Sequence, residues 1–384
     1  MTVDSFGIIT ELAPSSVIRS PLTTYCHLSS VNRHLKNRFL KNPGILFGMI
    51  TITISVVVAL FAYVLAPDHS PNANRMILEI GGRKPGFHQE FLLIRKQNPI
   101  DSVSWLERMF SGVDDRYNYI PITAARQSGD SLIVNRYIDE GIGEREAYYH
   151  PTGDINLRVE NRTFWLGTDR YGRDILSRLI IGVRVSLAVG FIAVLLSVSI
   201  GILLGALAGY FGGFTDRIVM WFLNIIWSVP TLLLVFALTL LLGKGFWQVF
   251  IAIGLTMWVN VARIVRGQVM VARELEYVEA ARALGFRDIR IIWRHILPNI
   301  LGPVLVIAAS NFASAIVVEA GLSFLGIGVQ PPRPSWGLMI KENYNFIITH
   351  NPMLALVPGF AIMMLVLAFN LLGNGLRDAL NVKG

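Results

Sequence analysis

Two stretches of this chain gather side chains capable of specific chemistry. The first is Gly167-Thr168-Asp169-Arg170-Tyr171-Gly172-Arg173-Asp174, followed by Ser177 and Arg178. Its carboxylates, guanidiniums and hydroxyls suit ion pairing and helix capping. Thr168 or Asp169 is placed to cap a helix, and Asp174 and Arg178 have the i, i+4 spacing of a helical ion pair. The second is Glu279-Ala280-Ala281, then Gly285, then Leu297-Pro298, among many arginines. Neither stretch sets a nucleophile beside a base. His69, His88 and His150 are scattered, without metal-ligand spacing. No GxxxxGK[ST] phosphate loop occurs, and Gly243-Lys244-Gly245 is too short to serve as one. The one cysteine, Cys26, reads as a reduced thiol. No catalytic, cofactor-binding or metal-binding residue is assigned to this chain.

Those stretches sit among apolar segments. Of 384 residues, 53% are hydrophobic and 16% charged, with a mean hydropathy of +0.52. A soluble domain carries about 25% charged residues. Disordered chains, disulfide scaffolds and ordinary cytosolic enzymes are thereby excluded. Six uncharged apolar runs stand out: Gly44 to Ala66, Val185 to Tyr210, Ile218 to Leu242, Phe246 to Ala262, Ile300 to Val318 and Pro352 to Gly373. Each reaches or approaches the roughly 20 residues that a helix needs to cross a ~30 Å hydrocarbon core. The first run is too long for the apolar part of a signal peptide and reads as a retained anchor.

The net charge of +8 suggests nucleic acid as one partner, but the basic residues flank apolar runs and fit membrane topology better. Arg33, Lys36, Arg38 and Lys41 precede the first run. With that end inside, the other inside loops hold Arg217, the arginines from Arg263 to Arg294, Arg377 and Lys383. Both termini are then expected in the cytoplasm. Arg170, Arg173, Arg178 and Arg184 fall on the opposite side, against the trend. Val31 to Lys41 reads either as a basic amphipathic helix, with Val31, Leu35 and Phe39 on one face, or as a plain charged flank. The stretch 67–164 carries 12 Lys and Arg against 14 Asp and Glu and has no spanning run. It is expected to be a mixed α/β insertion outside the membrane.

Within the spans, Gly201, Gly205 and Gly209 recur every four residues, a pattern that lets two helices approach closely. Glu319 is expected at the outer end of the fifth span, lining a path, capping a helix or pairing with an arginine. The loop 263–299 reads as two short helices broken at Gly285. Tyr277, Ala281 and Leu284 share a face in the first, where small Ala280 and Ala281 leave a low surface. Gly285 fits the position after a helix that requires positive φ. Asp288 is expected to cap the second helix. Its apolar stripe is Ile289, Ile292, Trp293 and Ile296, with Arg287, Arg290 and Arg294 outward, and Pro298 stops it. Such a loop is a lever, or an interfacial helix pair lying on the membrane. Pattern alone leaves both readings open.

Glu279-Ala280-Ala281, three residues, Gly285 and later Leu297-Pro298 resemble the EAA loop of ABC importer permeases. The chain is similar in particular to the second permease of dipeptide and oligopeptide importers, a group shared with nickel importers. Asn37-Arg38-Phe39-Leu40-Lys41-Asn42, the GTDxxGRDxxSR signature from Gly167 to Arg178, and Gly209-Tyr210-Phe211-Gly212-Gly213 carry the same likeness. So does Glu319-Ala320-Gly321-Leu322-Ser323-Phe324-Leu325-Gly326, running on to Pro331-Pro332 and Ser335-Trp336-Gly337. The match covers about residues 30–66 and 165–381. His295 stands where the broad EAA pattern has isoleucine, and the segment before Gly167 is longer than usual.

The resemblance implies an all-α polytopic membrane protein with six transmembrane helices. Its parts are a cytoplasmic segment 1–43, helix 1 over 44–66, the extracytoplasmic insertion 67–164 and a permease core over 165–381. It implies a bacterial inner-membrane location, a homologous second permease, two cytoplasmic ATPase subunits that hold ATP and Mg, and an extracytoplasmic solute-binding protein. Cargo would be di- or oligopeptides. Glu279, Ala280, Ala281, Leu284 and Gly285 would couple to an ATPase, whose closure would push a lever over Glu276 to Leu284. Thr168, Asp169, Arg173, Asp174 and Glu319 would form an outer gate or a structural motif. Competing readings are the same importer class carrying a nickel chelate or another small solute, an ATP-independent secondary transporter, and a membrane-anchored enzyme with its site in 67–164.

Overall fold

Asn42 opens the first helix: its side-chain carbonyl accepts from the Gly44 N–H at 2.9 Å, and Pro43 fills the first turn, where no N–H is needed. The computed structural model describes residues 42–97, 104–139, 141–149, 157–243, 245–349 and 351–380. Cys26 and the basic stretch Val31 to Lys41 lie outside the described residues. Helix α1 (Pro43–Leu60) and a short turn α2 (Ala62–Leu65) lead into the insertion.

The insertion holds five strands: β1 (Phe87–Arg95), β2 (Tyr117–Ser128), β3 (Ser131–Asp139), β4 (Ile142–Tyr149) and β5 (Leu157–Phe164). They pair antiparallel throughout in the order β4-β3-β2-β1-β5. Period-two alternation explains the result. Phe91 and Leu93 of β1 pack with Ile80, Tyr137 and Phe164, while Leu92 packs with Ile122, Leu132 and Val134. The one α-helix here among the described residues is α3 (Trp105–Ser111), seven residues long. The mixed α/β expectation therefore becomes a sheet with a single short helix. His69 and His88 are exposed, as surface histidines should be.

The remaining helices are α4 (Ile175–Phe211), α5 (Gly213–Ser228), α6 (Thr231–Leu242), α7 (Phe246–Arg273), α8 (Glu276–Ala283), α9 (Asp288–Leu325), α10 (Trp336–Asn343), α11 (Phe346–Thr349) and α12 (Met353–Leu380). Five of the described helices, α1, α4, α7, α9 and α12, are each long and apolar enough to cross a membrane. The third apolar run is different. It divides into α5 and α6, bent by 94° at Val229-Pro230. Proline has no N–H and pushes its predecessor out of the helical region, and Val229 sits at φ −97°, ψ 130°.

Helix α4 packs along α7, α1 on α12, and α12 on α9. The glycine ladder of α4 makes the first contact possible. A Cβ on Gly201 would lie 2.5 Å from Val261 Cβ, and one on Gly205 2.5 Å from the Ala262 carbonyl. At Gly209 it would meet the Arg266 carbonyl at 2.7 Å. All three are closer than atoms can pack, so the spacing serves helix–helix approach.

Two expectations for the loop 263–299 change. Pro298 does not end a helix, because α9 runs unbroken through it for 38 residues. Residues Ile292–Ile296 instead form a wide π turn. There the Leu297 N–H reaches back to the Ile292 carbonyl, and the slack absorbs the donor that Pro298 lacks. The buried face also differs from the expected stripe. Ile291, Ile292 and Ile296 are buried, whereas Ile289 and Trp293 are 68% and 62% exposed.

Candidate functional site

Helix α4 begins and ends at the two stretches that sequence singles out. At its start, Asp174 caps the helix by accepting from the Ser177 N–H at 2.9 Å and from the Ser177 hydroxyl. Burial holds this carboxyl above the usual carboxylate range, against the pull of the Ser177 hydrogen bonds. The expected caps, Thr168 and Asp169, do other work. Thr168 accepts from the Arg83 N–H at 3.0 Å and donates to the Ile80 carbonyl, which fastens the insertion to the permease core. Asp169 folds its own loop by accepting from the Tyr171 and Arg173 N–H groups at 2.9 and 3.0 Å.

The expected Asp174–Arg178 pair does not form. Arg173 binds Asp169 at 2.6 Å and Glu342 at 2.7 Å, and donates to Asn74 at 3.2 Å. Arg178 turns to the same Glu342, at 3.3 Å, and lies 3.8 Å from Asp169. With Asp174 committed to capping, the two arginines share a balanced buried cluster with Asp169 and Glu342. Both guanidiniums are 1% exposed. Gly172 makes the tight loop feasible: its φ is +72°, and a Cβ there would sit 1.7 Å from the Ile77 carbonyl. Thr168, Asp169, Arg173 and Asp174 thus form one clamp that joins the insertion, α4 and α10. Glu342 closes it, and no local pattern pointed there, because Glu342 lies 169 positions from Arg173.

Arg184, one turn or two further along α4, donates to the carbonyls of Ala59, Leu60, Met109 and Phe110. These are terminal carbonyls of α1 and α3, which carry the partial negative charge of a helix end. Arg173, Arg178 and Arg184 are therefore structural cations, and their weight against the orientation rule falls accordingly.

Glu319 is 1% exposed and stands within α9, six residues before its end. It accepts from the Ser323 hydroxyl at 2.6 Å and pairs with no arginine among the described residues. Ser323 also accepts from the Val329 N–H at 3.0 Å and lies 3.3 Å from the Ser335 hydroxyl. The network ties the connection between α9 and α10 to the body of α9. Glu319→Gln keeps an acceptor for Ser323 and is expected to leave thermal stability within about 1 kcal/mol of the parent. Glu319→Ala should cost about 1–3 kcal/mol by stranding buried hydroxyls. A stable Glu319→Gln protein that fails in transport would move this residue from the scaffold to the path.

At the far end of α4, Tyr210 gathers four elements. Its hydroxyl donates to Asp288 at the head of α9, at 2.6 Å, and accepts from Arg282 of α8 at 3.4 Å. Its carbonyl accepts from Arg273, the last residue of α7, at 2.9 Å. Asp288 is thus held by Tyr210, and the residue at the cap position of α9 is Arg287. Tyr210 lies in the Gly209–Gly213 motif, but nothing local reveals its partners.

Helix α8 ends in a double hydrogen-bonded cap. The Phe286 N–H reaches the Ala281 carbonyl at 3.2 Å and the Gly285 N–H reaches the Arg282 carbonyl at 2.9 Å, with Gly285 at φ +77°. His295 stacks on Phe286, ring centroids 5.7 Å apart. The expected shared face is split. Ala281 turns inward with Val278, at 2% and 0% exposure, into one apolar cluster with Val265, Val269, Ile292 and Ile296. Tyr277, Glu279, Ala280 and Leu284 face outward, and Leu284 is 73% exposed. The reason is register: Val278 and Ala281 are three apart, and the larger Val278 selects the buried side.

A bundle of long apolar helices, carrying a short amphipathic helix rooted in its core but open on the outer face, is the build of a multi-pass membrane protein. The comparisons with known proteins give that class a family. Residues 201–383 match the model of the binding-protein-dependent transport system inner membrane component. The chain is 43% identical to a glutathione transport system permease protein of Pectobacterium atrosepticum, over 57% of this chain and 72% of that one. It is 43% identical to a dipeptide transport system permease protein of Alkalihalophilus pseudofirmus, and 41% to an oligopeptide transport system permease protein of Bacillus subtilis. Each of those alignments spans 61% of this chain and 77% of the relative. The chain belongs to the binding-protein-dependent transport system inner membrane component family. It is a permease component of an ABC importer, a family in which the ATPase is a separate subunit and a partner permease and binding protein are implied. Family and apolar helices together fit a multi-pass inner-membrane protein.

Proposed function

We propose that this chain is the second, GTDxxGRD-bearing permease of an importer for di- or oligopeptides. Two ATP-hydrolysing subunits drive it, a homologous permease completes the path, and a soluble binding protein supplies the cargo. The named relatives carry glutathione, dipeptides and oligopeptides, three cargoes with peptide bonds, which favours peptides over a nickel chelate. The bent pair α5–α6 counts as the sixth span, both termini are cytoplasmic, and the insertion 67–164 lies outside.

The observation that carries this reading is the divided surface of α8. Val278 and Ala281 root the helix in the cluster that joins α4, α7 and α9. Glu279, Ala280 and Leu284 are left outward to enter a cleft on an ATPase, and Gly285 sets the angle at which they are offered. Tyr210 then links a push on α8 to α4 and α9. The clamp of Thr168, Asp169, Arg173 and Asp174 is the structural base of the outer mouth, and Glu319 holds the connection beside it.

Leu284→Cys in the assembled importer tests this. A cysteine placed in the ATPase cleft is expected to cross-link to it, in a manner that changes with bound nucleotide, while labelled dipeptide is still carried. Active transport with no cross-link from any position between Tyr277 and Leu284 would overturn the reading.

A further inference from the structure

Two adjoining cavities flank Arg75 and Tyr119 where the sheet meets the clamp. The first, of about 320 Å³, is lined by Asp68, Glu160, Asn161, Arg162, Trp165 and Asp174 among others. The second, of about 540 Å³, is lined by Asn72, Asn74, Lys96, Asp114, Asn118 and Pro332 among others. Arg75, Ile77 and Tyr119 belong to both. Each volume lies in the roughly 300–1,000 Å³ range of small-ligand sites.

The side chains common to both cavities are held in place. Arg75 forms a two-point bond with Asp115 and a further contact with Asp68 at 3.2 Å. Burial pulls its pKa down, but these carboxylates outweigh that and hold it above its ordinary value. The guanidiniums of Arg75 and Arg162 stack on Tyr119, 4.0 and 4.6 Å from the ring centroid. Asn72 takes the left-handed φ of +62° that asparagine tolerates, and the buried Ala73 beside it is held at φ +45°, which a residue with a methyl side chain keeps only where its surroundings enforce it.

Several polar groups remain for a ligand. Arg162 uses Nε on Glu160 and Nη2 on Tyr119, and its Nη1 has no partner among the described residues. Asp114, on the second cavity, likewise has none among them. The Asn74 carbonyl oxygen accepts from Arg173, which leaves its amide N–H₂ to donate. Asn72, Asn118 and Asn161 add further carboxamides, whose donors and acceptors match those of peptide groups. Met76, Ile77, Tyr117 and Tyr119 add apolar surface to the second cavity, against which ligand side chains can rest. Edge strand β5 lines the first cavity, and Pro332, in the connection that Glu319 and Ser323 fasten to α9, lines the second.

We propose that these cavities bind a short free peptide through its backbone and charged ends. Its carboxylate meets Arg162, its ammonium meets Asp114, and its amides meet the asparagines. This deepens the peptide-importer reading and rests on it.

The test uses the full chain in lipid nanodiscs and labelled trialanine in equilibrium dialysis. Saturable binding is expected, weakened at least tenfold by Arg162→Gln and by Asp114→Asn. Amidation of the trialanine C-terminus should weaken binding to the parent but add nothing to the loss in Arg162→Gln. N-acetylation should behave in the same way toward Asp114→Asn. Trialanine uptake by the assembled importer is measured in parallel. Uptake without binding to the chain overturns this site and leaves the importer reading standing, whereas binding without uptake overturns the importer reading alone. Binding that neither substitution weakens also overturns the site. If trialanine does not bind, and the unloaded binding protein shields Asn118→Cys from a thiol reagent, the cavities belong to that protein and the proposal fails.

Discussion

Gly285→Asp is expected to leave the chain folded in the membrane and to cut transport-stimulated ATP hydrolysis at least tenfold in proteoliposomes of the assembled importer. Nothing lies within 4 Å of a Cβ built at Gly285, so the substitution meets no clash. Its cost to the fold is the backbone strain of a side chain at φ +77°, about 1–2 kcal/mol. A folded protein typically has about 5–15 kcal/mol in reserve, so the bundle survives. The larger effect falls on docking. A carboxylate is added beside Leu284, and an unpaired charge desolvated at an interface costs several kcal/mol. Each 1.4 kcal/mol is about a factor of ten in affinity. Gly285→Ala separates the two causes, since it carries the strain without the charge and should lose far less. Full coupling in Gly285→Asp would remove the elbow from the mechanism.

Arg173→Met is expected to cause the largest loss of stability. It leaves Asp169 and Glu342 facing one remaining cation, Arg178, at 3.8 and 3.3 Å. Removing one partner from a buried ion pair costs about 3–5 kcal/mol, because the other charge stays behind without water. Arg178 compensates in part, so the lower end of that range is expected. The readouts are the yield of folded protein in detergent and its thermal midpoint. Adding Glu342→Gln to Arg173→Met should recover part of the loss, because it removes the stranded charge. Arg173→Lys should rescue poorly: one ammonium cannot reproduce the fork that meets Asp169, Glu342 and Asn74 together. An unchanged midpoint in Arg173→Met would show that the cluster contributes nothing.

Much of this architecture is legible in the chain because it rests on local physics. Apolar length announces α1, α4, α7, α9 and α12. The glycine ladder at Gly201, Gly205 and Gly209 announces a close neighbour, and Gly285 announces a helix end. What stayed hidden is set by partners far away in the chain. The Asp174–Arg178 spacing was right for a pair, yet Arg178 turned to Glu342, 164 positions away. Ala281 and Leu284 have compatible spacing on paper, but the bundle already offered Val278 a socket, and Ala281 went with it. A 3.6-residue period placed a stripe on Ile289 and Trp293, but the cluster around Val265 and Val269 takes in Ile291, Ile292 and Ile296 instead. The basic count treats Arg173, Arg178 and Arg184 as free charges, whereas these three are spent on carboxylates and helix ends. The cavities around Arg75 and Tyr119 left no trace in the sequence, since their walls come from residues between Pro67 and Pro332.

Arg184 has one more consequence. By gripping the ends of α1 and α3 from the flank of α4, it makes the β-sheet a passenger on that helix. Any rocking of the bundle that tilts α4 must swing the sheet with it, like a flag on a mast. An angular change along the 37 residues of α4 is carried through these bonds toward β4, at the opposite edge of the sheet from β5. A fluorophore on β4 is expected to report the tilt of α4.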